Sequence, residues 1–301
     1  MPCILGQIKC TFWPCAVSAE FSGAVELALK YWFRLSGRYT DPMASQFSLF
    51  EPVSFSENRL DDTSVHEIRK STKQIRAHLA LLRALEGNHP ENEKLRLSVK
   101  RLARMLCAQR DLFVINSALQ TMAAERAEPG LALLAPKVRE DLETLTFSER
   151  EVEQIQELLI EIADSAPALL HTDFDASAVD QFLQSGLATV SRFGPSLLAA
   201  ENFDDLHNWR KQVKTLMYQY QLKPSSANRD LQVIEQLEQL GSSLGEVNDM
   251  HLLKHFVLGQ QQLLSAAENR ESYGRILNLV DDKLRQKLES SRAIFGRLSA
   301  L

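Results

Sequence analysis

Apolar residues recur at three- and four-residue spacing along most of the chain, and strict alternation of the kind a strand needs is nearly absent. This is the pattern of helices that each bury one face, and it predicts an all-α protein. Helices are expected over residues 19–36, 64–86, 91–109, 111–127, 137–163, 176–190, 203–222, 226–240, 245–268 and 273–297. Helix-interrupting residues fall between most of these spans: Gly87 to Pro90, Pro129 with Gly130, Gly194 with Pro195, Lys223 to Ser226, and Gly241. Asp61 to Ser64 supplies N-cap side chains ahead of the first strong helix.

Composition narrows the class. The chain has 301 residues, enough for one large domain or two of about 150. Its 45% apolar and 24% charged residues, with only 12 Gly and 10 Pro, exclude collagen-like and wholly disordered chains. Leu, Ala, Glu, Gln, Arg and Lys crowd the sequence and aromatic residues make up 7%, which favours helix over sheet. No uncharged apolar stretch reaches about 18 residues, and the start lacks a basic segment followed by an uninterrupted apolar one. Neither a membrane span nor classical secretion is therefore expected. Residues 24–35, AVELALKYWFRL, form an amphipathic stretch read as a helix docked on the body. Cys3, Cys10, Cys15 and Cys107 are too few and too unevenly placed for a disulfide framework, which points to a reducing, cytoplasmic setting. The first three lack a short ligand spacing and a neighbouring histidine, so no metal or other cofactor is expected. Met43 is an alternative start, because the expected core does not need what precedes it.

The most informative feature is an internal repeat. SVHEIRKSTKQIRAHLALL from Ser64 aligns with DLHNWRKQVKTLMYQYQLK from Asp205, and both contain H-x2-R-K-x2-K. The offset is 141 residues for every pair: His66 with His207, Arg69 with Arg210, Lys70 with Lys211, and Lys73 with Lys214. A second pair follows in the same order at an offset of 138, LCAQRD from Leu106 and LGEVND from Leu244. Two ordered motifs at nearly constant offset argue for duplication of a helical unit.

On a helix, His66, Arg69, Lys70, Lys73 and Arg76 share a stripe about 120° wide, opposite Val65, Ile68, Ile75, Leu79 and Leu82. In the second copy His207, Arg210, Lys211, Lys214 and Tyr218 gather opposite Leu206, Trp209, Val213, Leu216 and Tyr220. Lys94, Lys100, Arg101 and Arg104 add cations away from the Leu95, Val99, Leu102 and Leu106 stripe of the next helix. Net charge is -5, yet charge is segregated: residues 64–111 hold 11 Lys/Arg against 5 Asp/Glu, and residues 140–181 hold 1 against 12. The basic faces could pair with that acidic segment or line a cleft that takes a polyanion. Repetition of the basic face favours the cleft, because like charges at helical spacing repel unless something compensates them.

His66 and His207 open the two stripes and can donate from a neutral ring or carry charge beside phosphate, the competing role being a structural hydrogen bond. No thiolate or carboxylate accompanies them at ligand spacing. Asp111 and Asp249 follow expected helix junctions, where they would either cap a helix or orient a neighbouring guanidinium.

Through VHEIRKSTKQIR from Val65, AQRDLFV from Ala108, LHNWRKQVKTLMY from Leu206 and LGEVND from Leu244, the sequence resembles the CHAD family, the conserved histidine alpha-helical domain proteins. The likeness runs from about Ser64 to the C-terminus. It implies two antiparallel four-helix bundles from an internal duplication, related by a pseudo-twofold, with basic helices lining a central groove. On that basis residues 1–50 are an N-terminal extension with one helix, residues 51–195 a first bundle and residues 196–301 a second. The resemblance further implies a non-enzymatic protein that binds inorganic polyphosphate, in the cytoplasm and in association with polyphosphate granules and their proteins.

Carried over by motif position, the phosphate contacts are His66, Arg69, Lys70, Lys73 and Arg76 in the first half and His207, Arg210, Lys211 and Lys214 in the second. Lys100, Arg101 and Arg104 extend the wall, and Lys283 and Arg285 of the C-terminal helix, with Lys287, Arg292 and Arg297, add a further one. Family members often keep a basic residue where this chain has Met217 and a glycine where it has Cys107, departures that imply a weaker second wall and an altered helix junction.

Two other classes stay open. A nucleic-acid binder would want stacking rings on the basic stripes, where Tyr218 is the only one, and overall acidity opposes duplex binding. A phosphate-processing enzyme would want a G-x4-G-K-[ST] loop or the E-x-E-x-K strand of the triphosphate tunnel enzymes that accompany some CHAD domains. Neither is present; the nearest run, Glu149, Glu151 and Glu153, lies in a helical stretch without the lysine.

Overall fold

A computed structural model describes residues 55–56, 59–126, 128–165, 175–223, 228–261 and 270–301. The helix expected over 19–36, Cys3, Cys10, Cys15 and Met43 lie outside them. Among the described residues the fold is all-helical apart from one antiparallel pair of two-residue strands, β1 (Phe55–Ser56) and β2 (Arg59–Leu60). The helices are α1 (Asp62–Glu86), α2 (Pro90–Met105), α3 (Cys107–Glu125), α4 (Pro129–Thr144), α5 (Glu149–Ser165), α6 (Ala176–Ala200), α7 (Phe203–Leu222), α8 (Asn228–Gly259) and α9 (Arg270–Leu298).

Local chemistry starts these helices where they start. Asp61 caps α1 by accepting from the Ser64 backbone N–H at 2.8 Å, and Asn202 caps α7 by accepting from Asp204 N at 3.1 Å. Pro90 and Pro129 open α2 and α4, where a missing N–H leaves no bond unmade. Gly87 closes α1 at a φ of +90°, a conformation other residues rarely adopt.

Three apolar clusters hold the helices together. The first joins Leu60 of β2 with α1, α2 and α5 through Val65, Ile68, Leu102 and Ile155. The second joins α6, α7, the first part of α8 and the last part of α9, with Trp209 and Phe295 packed edge to face at 5.6 Å. The third joins α3 and α4 to Leu253 and Val257 of α8 and to Ile276 and Val280 of α9. Helices α8 and α9 thus each serve two clusters. Every apolar residue expected on the inner faces of α1, α2 and α7 is buried.

Several boundaries differ from the sequence reading, each for a physical reason. The single helix expected over 137–163 is two, parted at residues 145–148. There Thr144 Oγ1 donates back to the carbonyls of Glu140 and Asp141 at 3.0 and 3.1 Å. Ser148 and Glu151 then form a reciprocal cap, Ser148 N donating to Glu151 Oε2 at 2.9 Å and Glu151 N to Ser148 Oγ at 3.3 Å. Gly194 and Pro195 do not end α6, so the expected junction at 195/196 falls within a helix. Gly194 instead admits close neighbours: a Cβ there would stand 2.8 Å from Trp209 Cζ2 and run into the Phe295 ring. Gly241 lies inside the unbroken α8. The junction expected near Arg110 sits at Leu106, whose buried side chain pins the corner between α2 and α3.

Candidate anion-binding site

Helices α1 and α7, the two copies of the repeated basic helix, pack against each other, and Gln219 Nε2 of α7 donates to the Ala77 carbonyl of α1 at 3.1 Å. Their contact brings cations from both copies together. Burial, and then the positive charges of Arg210, Arg69, Arg110 and Lys214, push the Lys73 pKa down from 10.5 to about 8. Burial likewise holds Arg210 below its ordinary value, with Asp249 opposing the shift and Arg110 and Arg69 adding to it. Lys214 is lowered by burial too, against the pull of Glu238. Arg69, Lys73, Arg110, Arg210 and Lys214 are therefore one electrostatic cluster drawn from α1, α3 and α7.

The hydrogen bonding of the cluster is incomplete. Arg69 Nη1 donates to the Ala103 carbonyl at 3.1 Å, but its buried Nε, like the buried Nε of Arg210, has no partner among the described residues. Arg110 Nη2 reaches Asp249 Oδ1 at 3.5 Å. Neither Asp111 nor Asp249 caps a helix; both lie inside one, Asp249 facing these guanidinium groups and Asp111 accepting from the Cys107 thiol at 3.7 Å.

Helix α8 supplies a smooth floor. A Cβ at Gly245 would stand 3.1 Å from Arg210 Nη2 and 3.3 Å from its Nε, and one at Gly241 would stand 2.8 Å from Lys214 Cδ and Cε. The two long cationic side chains lie flush on a helix that is bare where they cross it. The sequence alone marks Gly241 as a breaker, and Arg110 enters it only as the guanidinium that Asp111 would orient. The available signal was spacing: Gly241 and Gly245 are four apart, as are Arg210 and Lys214.

Other expected residues are placed differently. His66, Arg76, Lys100, Arg101, Arg104 and Lys211 are exposed, Arg101 donating to Gln154 at 3.2 Å and Lys211 to Asn208 at 3.2 Å. Lys70 lies 3.8 Å from Glu67. His207 is half-buried near the start of α7; burial lowers its pKa, with Lys211 and Arg210 adding and a hydrogen bond donated to Asn248 opposing. Lys283 pairs with Glu125 and Arg285 with Asp282, and neither is among the charges that act on Lys73. The acidic segment takes cations elsewhere: Glu161 meets Lys94 at 3.1 Å, Asp141 meets Lys137 at 2.9 Å and Asp180 meets Lys223 at 2.7 Å. Among the described residues, no acid of 140–181 pairs with a cation of α1 or α7.

Chemically, the cluster offers guanidinium and ammonium donors to an oxyanion. Among the described residues no three His, Cys, Asp or Glu side chains gather to hold a metal ion, and no helix is long and apolar enough to cross a membrane.

Comparison with known proteins agrees with this architecture. No curated protein shows significant similarity to the chain. Its fold is similar to the crystal structure of the CHAD domain from the plant Ricinus communis, with a TM-score of 0.57 at 17% identity over 93% of this chain and 92% of that one. A family model described as the CHAD domain matches residues 55–258, well over half of the sequence, and the chain accordingly belongs to the CHAD domain family.

Proposed function

We propose that this protein is a non-enzymatic binder of inorganic polyphosphate, which it holds in a basic groove between two helical halves produced by duplication. The observation that carries the reading is the convergence of Arg69 and Lys73 from one copy of the motif with Arg210 and Lys214 from the other. Bringing like charges together in a partly buried site is unfavourable without counter-charge. Asp249 and Glu238 supply some, but fewer charges than the five cations need. A flexible polyanion would supply the rest along its length.

The surroundings of the two arginines support the duplication. Arg69 bonds the Ala103 carbonyl and lies within reach of Cys107, as Arg210 lies on Gly245 and Lys214 on Gly241. At the 138-residue offset Ala103 and Cys107 are the counterparts of Gly241 and Gly245. The corner of α2 and α3 then corresponds to the middle of α8, which runs on unbroken. On this reading His66, Lys70, Arg76, Lys100, Arg101, Arg104, His207 and Lys211 form the outer walls, and the protein associates with polyphosphate granules in the cytoplasm.

Binding should be blind to sequence, far tighter for long chains than short ones, and weakened by salt. The test is a titration over polyphosphate length and ionic strength, comparing the intact protein with one in which Arg69, Lys73, Arg210 and Lys214 are together replaced by Gln. Loss of binding with helical circular dichroism intact is expected. Equal affinity for orthophosphate and long polyphosphate would overturn the proposal, and displacement by excess duplex DNA or RNA would favour the nucleic-acid alternative.

A further inference from the structure

Beyond the cation cluster, α8 carries His251 and His255 one helical turn apart. Their Nε2 atoms stand 3.0 Å from each other, and the rings meet edge to face with centroids 4.5 Å apart and planes at 86°. Phe203, the first residue of α7, stacks on His251 with a centroid distance of 4.3 Å and an interplanar angle of 17°. That stacking fixes the plane of the His251 ring. His251 is half-buried and His255 exposed, so the paired nitrogens are held by the fold while remaining reachable from solvent.

Burial and then the neighbouring His255 weigh against positive charge at the His251 ring, with Lys254 and His207 adding and Asp204, next to Phe203, opposing. Lys254 is itself tied to Asp281 at 2.7 Å, which offsets its charge.

Imidazole nitrogens bind zinc at about 2.0–2.1 Å, so two of them 3.0 Å apart subtend roughly 91–97° at a shared ion. That angle suits neighbouring positions around an octahedral or five-coordinate ion, and neutral imidazole is the side chain that Zn2+, Ni2+ and Cu2+ favour over Mg2+ and Ca2+. We propose that His251 and His255 form a bidentate chelate for a divalent transition-metal ion through their Nε2 atoms. It differs from a three-donor cage, none of which occurs among the described residues. The ion's remaining positions are left to water or to an anionic oxygen donor.

The test uses the full chain with NiCl2 or CuCl2 alone and no phosphate, so its outcome is independent of the polyphosphate reading. Calorimetry should show one saturable site, and melting should shift upward with added metal. Electron paramagnetic resonance of one equivalent of Cu2+ should show two imidazole nitrogens. His255→Gln, at an exposed position that leaves the fold intact, should abolish the calorimetric site, the melting shift and the two-nitrogen signal together; His251→Gln should do the same. Unchanged affinity and an unchanged nitrogen signal in either variant, or a signal dominated by thiolate, would overturn the proposal.

Discussion

Arg110 and Asp249 are 139 residues apart in the chain and face each other across the cation cluster with Nη2 and Oδ1 3.5 Å apart. Each comes from one copy of the second repeated motif, so the contact joins the two copies directly. Asp249 also acts on Arg210 and is the main carboxylate relieving its positive surroundings. Asp249→Asn should therefore destabilise the free protein by about 1 kcal/mol, a modest amount because the pair is only partly buried. Saturating long polyphosphate should restore the loss. Urea midpoints with and without polyphosphate measure both effects.

Gly245→Ala separates stability from binding. Alanine favours helix over glycine by about 1 kcal/mol. Its Cβ would crowd the Arg210 guanidinium, 3.1 Å from Nη2, and lift it from the face of α8. The melting temperature should hold or rise while polyphosphate affinity falls severalfold, a split that calorimetry and thermal melts would resolve.

Lys73 should couple binding to protons. Its pKa is about 8 in the folded chain against 10.5 ordinarily, so below pH 8 both states carry the proton and the folded state bears the cost of the buried charge. Between pH 8 and 10.5 the unfolded chain holds more protons than the folded one, and stability rises with pH across that window. A polyanion favours the charged ammonium, so binding at about pH 9 should take up protons. Calorimetry in two buffers of different ionisation enthalpy measures the uptake. Lys73→Arg should abolish it, since guanidinium stays charged.

His78 should govern stability on the acid side. It is buried next to Ala77, its Nδ1 has no partner among the described residues, and burial pushes its pKa down from 6.5 to about 4. As pH falls from 6.5 to 4 the unfolded chain takes a proton that the folded chain refuses, so stability is lost through this window. The repeat places Gln219 at the equivalent position. His78→Gln should flatten the decline of the urea midpoint between these two pH values.

The apolar faces of α1, α2 and α7 were legible because helical period alone decides which side can be buried. Breaks were less so. Gly194, Pro195 and Gly241 break helices by intrinsic preference, but in the fold the two glycines serve close approach between helices, a tertiary demand that outweighs propensity. The break at residues 145–148 contains neither Gly nor Pro and arises from Thr144, Ser148 and Glu151 bonding locally. The basic stripe of α1 was legible as a stripe, yet only the crossing with α7 decides that Arg69 and Lys73 turn inward while His66 and Arg76 face water. In the sequence Lys283 shows only its charge; its partner Glu125 is 158 residues away and invisible to any local pattern.

Because α8 runs unbroken from one apolar cluster into another, α7 and α3 are fastened to a common strut. The distances among Arg210, Lys214 and Arg110 are thereby set when the chain folds. On the proposed reading, an incoming anion would meet cations already at their working separation, and the ordering it would impose would be confined to the tips of side chains.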